Sequence, residues 1–131
     1  EVPSRGLGDV YKRQVKNPHL IMGLSTSARS GLHGLSKALS REVAQYNITI
    51  NNVLPERIDT DRQTQILNFQ AKLADSTYEE AKKELEETLT AKRMGTVEEF
   101  SGICTFLCSE QAAYISGQNI SVDGGNSTNL I

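Results

Sequence analysis

"ITINNVLP", Ile48–Pro55, decides the fold. Ile48, Thr49, Ile50 and Val53 are β-branched, Leu54 is apolar, and Pro55 stops the run. A short, mostly apolar stretch closed by proline reads as a strand. A strand of this kind without polar alternation suits a buried position in a parallel sheet. The residues on either side decide which sheet. From Ser27 to Tyr46 the apolar positions Ala28, Leu32, Leu35, Ala38, Leu39, Val43 and Ala44 recur mainly at steps of three and four, which makes an amphipathic helix. Ser25, Thr26 and Ser27 are candidate N-caps, and Asn47 tolerates the left-handed conformation that ends a helix.

A long polar stretch, Glu56 to Gly95, follows the strand. It contains two helical segments, "TQILNFQAKL" and "STYEEAKKELEETLTA", the second opened by a capping box of Ser76 with Glu79. Thr96 with Glu99 opens a further helix, "VEEFSGICTFLCSE", and "GQNISVDGG" reads as a second short strand closed by two glycines. Two strands joined through helices predict an α/β fold with parallel pairing. In such sheets ligands bind beyond the carboxyl ends of the strands. The excursion leaves from that end of the first strand, so it is placed to cover a ligand.

Bulk properties narrow the function. The chain has 131 residues, which suits one domain, and its formal charge of -2 gives no reason to expect nucleic acid or anionic lipid as a partner. No apolar run approaches a membrane span, and "LIM" at Leu20–Met22 is too short for a signal-peptide core, so a cytoplasmic location is the expectation. Cys104 and Cys108 lie four residues apart without a CxxC spacing and far in sequence from His19 and His33. They read as small apolar side chains on the buried face of a helix, and no metal site is expected.

"EVPSRGLGDVYKRQ", Glu1–Gln14, has neither helical nor strand periodicity. It resembles translated sequencing-adapter sequence at the ends of assembled fragments. Residues 1–14 are therefore expected to be a non-native or disordered arm, with the natural part beginning near Val15 and its own N-terminal portion missing.

The blocks "SARSGLHGLSKALSREVAQYNITINNVLPERIDTDR" and "KRMGTVEEFSGICTFLCSEQAAYISGQNISVDGG" resemble the C-terminal half of the short-chain dehydrogenase/reductase family, in its 3-oxoacyl-acyl-carrier-protein reductase-like group. The resemblance runs from Val15 to about Asn126. It implies that residues 15–131 form the C-terminal portion of a doubly wound, Rossmann-type parallel-sheet domain truncated at its N-terminus, with 61–95 as substrate lid. It implies NAD or NADP as cofactor and a small-molecule substrate, and a homo-oligomer built through the helix 27–46. Both neighbours of the first strand would lie in the sheet, one supplied by Asn119–Val122 and the other by the missing half.

The resemblance also carries site residues. The family's Tyr-x-x-x-Lys pair falls on Ser25 and Arg29, and its cofactor-facing segment falls on Pro55, Glu56, Ile58 and Thr60. A serine hydroxyl is too weak an acid to replace the tyrosine as proton donor. Arg29 retains the positive charge that addresses ribose hydroxyls but does not release a proton. Tyr78 and Lys82 repeat the spacing within an acidic run of Glu79, Glu80, Glu84, Glu86 and Glu87, which reads as a solvated helix face.

Glu56 occupies the place of a family glycine that lets the backbone run close to the nicotinamide. Its side chain either obstructs or redirects that approach, or turns outward on a loop. Thr60 either bonds the nicotinamide amide, as the resemblance favours, or caps the helix beginning near Asp61. No glycine-rich pyrophosphate turn accompanies these residues, and "GLGDV" at Gly6–Val10 lacks the preceding strand such a turn needs. The chain is thus expected to be a fragment of an NAD(P)-dependent oxidoreductase acting on a carbonyl or hydroxyl substrate of 3-oxoacyl type, inactive as it stands. The alternative is a non-catalytic nucleotide-binding or oligomerising member.

Overall fold

A computed structural model describes residues 23–128. The expectations for Glu1–Gln14, Val15 and His19 lie outside the described residues. The order of elements is α1 (Gly23–Val43), a 3-10 turn (Ala44–Tyr46), β1 (Asn52–Pro55), α2 (Asp61–Leu73), α3 (Tyr78–Thr88), α4 (Val97–Leu107), a 3-10 turn (Glu110–Ala112) and β2 (Asn119–Val122).

β1 and β2 pair in parallel, with Asn52 opposite Asn119 and Pro55 opposite Val122. The strand is shorter than the apolar run that announced it. Upstream of Asn52 a side chain takes over part of the ladder: Asn51 Nδ2 donates to the Ile115 carbonyl at 2.8 Å, and its Oδ1 accepts from Gln118 N at 3.1 Å. Ile50 still accepts from Gly117 N at 2.7 Å. The expectation of a buried strand is corrected, because every residue of β1 is only half-buried among the described residues.

α1 starts at Gly23, so Ser25, Thr26 and Ser27 lie inside the helix and do not cap it. Its end is as expected: Asn47 has φ 58° and its N–H bonds the Ala44 carbonyl. The face turned inward is polar. Thr26, His33, Ser36 and Ser40 are buried, while Leu32, Leu35 and Leu39 face outward at 56%, 63% and 45% exposure. Towards the C-terminal end of this face α1 sits on the turn before β2. Gly117 has φ +70°, a Cβ there would come within 2.7 Å of Ser40 Oγ, and Lys37 Nζ donates to the Gly117 carbonyl at 3.0 Å. No residue of α4 is buried, although it carries Phe100, Ile103 and Leu107.

The hydrophobic core among the described residues lies in the excursion. Leu67 and Ala71 of α2, Ala81 of α3, then Leu89 and Met94 pack together, with Tyr78 and Leu85 against them. The solvated reading of Tyr78 is therefore corrected, since its ring is drawn into this cluster. Two local signals build the hairpin. α2 ends in a Schellman motif in which Ser76 N bonds the Ala71 carbonyl, Asp75 N bonds the Lys72 carbonyl, and Asp75 takes φ 52°. α3 opens with a capping box of Thr77 and Glu80, one residue later than the predicted Ser76 and Glu79. "STYEE" satisfies the pattern in both registers, and with Ser76 engaged in closing α2, Thr77 caps α3. The predicted box of Thr96 and Glu99 forms as expected.

Leu67 is the fully buried side chain of this cluster. Leu67→Ala is expected to destabilise the excursion by about 2–5 kcal/mol, as for other buried leucines. Urea unfolding of the purified chain measures this, and a loss below about 0.5 kcal/mol would mean that the cluster does not hold the hairpin.

Candidate functional site

The carboxyl ends of β1 and β2 open onto a cleft of about 200 Å³. Three segments wall it: Glu56, Arg57 and Ile58 after β1; Leu89 to Gly95 returning from the excursion; and Val122 to Gly124 at the end of β2. Backbone pairing brings the first two together. Gly95 N donates to the Arg57 carbonyl at 3.0 Å, and Asp59 N donates to the Gly95 carbonyl at 2.8 Å. The excursion is thereby closed at its base like a loop drawn shut.

The third wall is built by the "VDGG" turn. Asp123 accepts from Gly125 N through Oδ1 at 3.0 Å and from Ser127 N through Oδ2 at 2.9 Å. Gly124 has φ +61°, and a Cβ there would stand 2.9 Å from Ala91 Cβ, so glycine is required for the turn to meet the returning segment. The turn delivers Asn126 to the side chain of Glu56, where Nδ2 donates to Oε1 at 2.7 Å. Glu56 is 6% exposed. Its side chain does not turn outward on a loop; it is redirected into the protein and engaged there by Asn126.

At the rim, Arg93 and Glu99 form a bidentate pair at 2.8 and 2.7 Å. The Arg93 hydrogen bonds and the Thr96 N–H hold the Glu99 carboxyl down at about 2, and the same pairing raises the Arg93 guanidinium. Arg57 adopts φ 50°, and its Nε is buried without a hydrogen-bond partner among the described residues.

The predicted site residues divide between two places. Glu56 and Ile58 line the cleft, and Pro55 pairs with Val122 at its edge. Thr60 caps α2 by accepting from Gln63 N at 3.4 Å, which leaves its hydroxyl proton to donate elsewhere. Ser25 and Arg29 stand one turn apart on α1, half-buried, and do not line the cleft. Burial, aided by the Arg29 charge, pushes the His33 imidazole below its usual range. Cys104 is half-buried and Cys108 exposed, so the expected burial of this pair does not hold among the described residues. No cluster of three or more potential metal ligands occurs among them, and no described helix is long and apolar enough to cross a membrane. Sequence reasoning passed over Asn126 and Arg57. For Asn126 the available signal was its place directly after "VDGG", a turn that must deliver the following side chain somewhere.

Comparison with known proteins places this geometry. Residues 12–127 match the family described as Enoyl-(Acyl carrier protein) reductase. The chain is 35% identical over 111 residues to the NADPH-dependent reductase BacG of Bacillus subtilis, covering 85% of this chain and 43% of that protein. It is 37% identical over 100 residues to the 3-oxoacyl-[acyl-carrier-protein] reductase FabG of Aquifex aeolicus, covering 76% and 36%. The chain thus spans less than half the length of these relatives. Among solved structures it is similar to YwfH, an NADPH-dependent reductase involved in bacilysin biosynthesis, with a TM-score of 0.77 at 34% identity, covering 88% and 44%. It is also similar to L-sorbose reductase from Gluconobacter frateurii complexed with NADPH and L-sorbose, with a TM-score of 0.74 at 29% identity, covering 87% and 44%.

The Arg93–Glu99 pair sets a pH dependence. The Glu99 carboxyl lies at about 2 in the folded chain against an ordinary 4.5, so the stability it contributes is complete above about 4.5 and is lost as pH falls towards 2. Glu99→Gln is expected to flatten the dependence of Tm on pH in that window. Circular dichroism melts at a series of pH values measure it; an unchanged slope in the variant would show that the pair does not contribute to stability.

Proposed function

The chain belongs to the short-chain dehydrogenase/reductase family, and from that membership we propose that it is the substrate-side, C-terminal portion of an NADPH-dependent carbonyl reductase. The observation that carries this reading is the cleft at the carboxyl ends of two parallel strands, lined by Glu56, Arg57 and Ile58 and walled by the returning arm of the excursion. Glu56 lines this cleft with its carboxylate engaged by Asn126.

The family resemblance assigns one end of the cofactor to residues of this chain. Thr60 has a hydroxyl proton to give to a carboxamide, Pro55 and Ile58 offer apolar contact, and Arg29 offers a guanidinium to ribose hydroxyls. When bound, the reduced nicotinamide supplies hydride. A proton must still reach the carbonyl oxygen, and Ser25 is too weak an acid to deliver it. The excursion would exclude water from the reacting centre. A 3-oxoacyl thioester is the substrate class favoured by the similarity to FabG of Aquifex aeolicus. The pyrophosphate would be held by residues outside this sequence.

A second reading rests on the outward apolar face of α1, where Leu32, Leu35 and Leu39 are exposed, together with serine at the position of the proton donor. It makes the chain an oligomer-forming member without redox chemistry. Large exposed apolar faces drive association.

Three measurements test these readings. The chain alone is expected to give no NADPH-dependent reduction of ketone or acyl-thioester substrates above a no-protein control; robust turnover would overturn the assignment of Ser25 as a defective donor. Joined to the N-terminal half of the Bacillus subtilis relative, the chain is expected to bind NADPH, and Arg29→Ala should weaken that binding by about 1.5–3 kcal/mol. Calorimetry showing unchanged affinity would make Arg29 a surface charge. Light scattering is expected to find the isolated chain associated through α1. A monodisperse monomer that melts cooperatively would remove the oligomer reading.

A further inference from the structure

We propose that Glu56, Asn126 and Thr90 form a latch that holds the returning arm of the excursion to the carboxyl end of β1. Three hydrogen bonds carry the proposal. Asn126 Nδ2 donates to Glu56 Oε1 at 2.7 Å, while Asn126 Oδ1 accepts from Thr90 N at 3.3 Å and from Thr90 Oγ1 at 3.2 Å. One amide thus joins three segments that are distant in sequence. Both of its functional groups are used, the NH2 towards the strand end and the carbonyl oxygen towards the excursion.

The arrangement has a chemical logic. A carboxylate taken out of water at Glu56 is costly unless a donor meets it. Asn126 is such a donor, and a hydrogen bond to a charged group is stronger than a neutral one. The bond orients the amide, so that its oxygen faces Thr90. The "VDGG" turn fixes the backbone on which the amide stands, through Asp123 to Gly125 N and Ser127 N.

On the far side, the excursion has its own core and its own closure at Arg57, Asp59 and Gly95. Beside the packing of Gly124 against Ala91, the latch adds a hydrogen-bonded tie from the arm to the β2 side of the cleft. The cleft lies between the segments so tied, and releasing Asn126 frees the arm at Thr90 while the hairpin core stays intact. Glu56, Asn126 and Thr90 are positioning residues in this scheme. That the latch governs substrate access rests on the reductase reading above; its existence does not.

Backbone amide exchange on the 131-residue chain, without nucleotide or substrate, tests the latch directly, because the Thr90 N–H is one of its bonds. Asn126→Asp keeps an acceptor for Thr90 but sets a carboxylate against Glu56. It is expected to speed exchange at Thr90 and over residues 89–93 by about tenfold, the effect of losing one charge-assisted hydrogen bond, with the amides of α2 and α3 unchanged. The double variant Glu56→Gln with Asn126→Asp rebuilds the pair with donor and acceptor exchanged. It is expected to return the arm to wild-type exchange.

Wild-type exchange in Asn126→Asp overturns the proposal, and so does failure of the double variant to recover. If either Asn126 variant does not fold, Thr90→Val at an exposed position decides the matter. Faster exchange over 89–93 supports the latch and unchanged exchange overturns it. Absence of NADPH binding in the joined protein would sink the reductase reading and leave these outcomes untouched.

Discussion

The parallel pairing of β1 with β2 is the constraint on which the other elements depend. It sets the carboxyl ends of the two strands side by side, and both the excursion and the "VDGG" turn leave from there. The pairing is completed at its start by side chains. Asn51 bonds to Ile115 and Gln118, and Ser116 Oγ accepts from Ile50 N. A parallel pair cannot be closed by a tight turn, so everything between residues 56 and 118 serves as its crossover. In this chain the crossover also supplies a wall of the cleft, from Leu89 to Gly95.

The distribution of apolar side chains follows from that arrangement. The excursion is closed at Arg57 and Gly95, which lets α2 and α3 pack on one another around Leu67. α1 and α4 have no such closure. α1 turns a face of threonine, serine and histidine inward, with Ser40 against the turn at Gly117, and its leucines are left facing outward. α4 leaves Phe106 at 42% exposure. The buried material of the described chain is therefore concentrated beside the cleft.

Glu56 shows how a substitution at a family position is absorbed. A side chain where the resemblance expects glycine has to go somewhere, and a carboxylate has to meet a donor. Here both needs are met by Asn126, which lies 70 residues further on. The carboxylate at this position is thus held in a contact within the protein while its residue still lines the cleft. The hydroxyl of Ser25, by contrast, is not an acid that titrates near neutral pH.

By itself the sequence determined the local elements: the helix ending at Asn47, the parallel strand before Pro55, the capping box at Thr96 and the short strand before "VDGG". Each follows from backbone preferences or side-chain periodicity acting within a few residues. Where two local patterns overlapped, as in "STYEE", the sequence left the register open, and the closing turn of α2 decided it. Only the tertiary structure decided that Tyr78 joins a core, that the leucines of α1 face outward and that Glu56 turns in towards Asn126. These outcomes depend on which segments meet across dozens of residues. Periodicity says that a face is apolar but not what covers it, and a carboxylate finds its donor only when the chain has folded back to bring one.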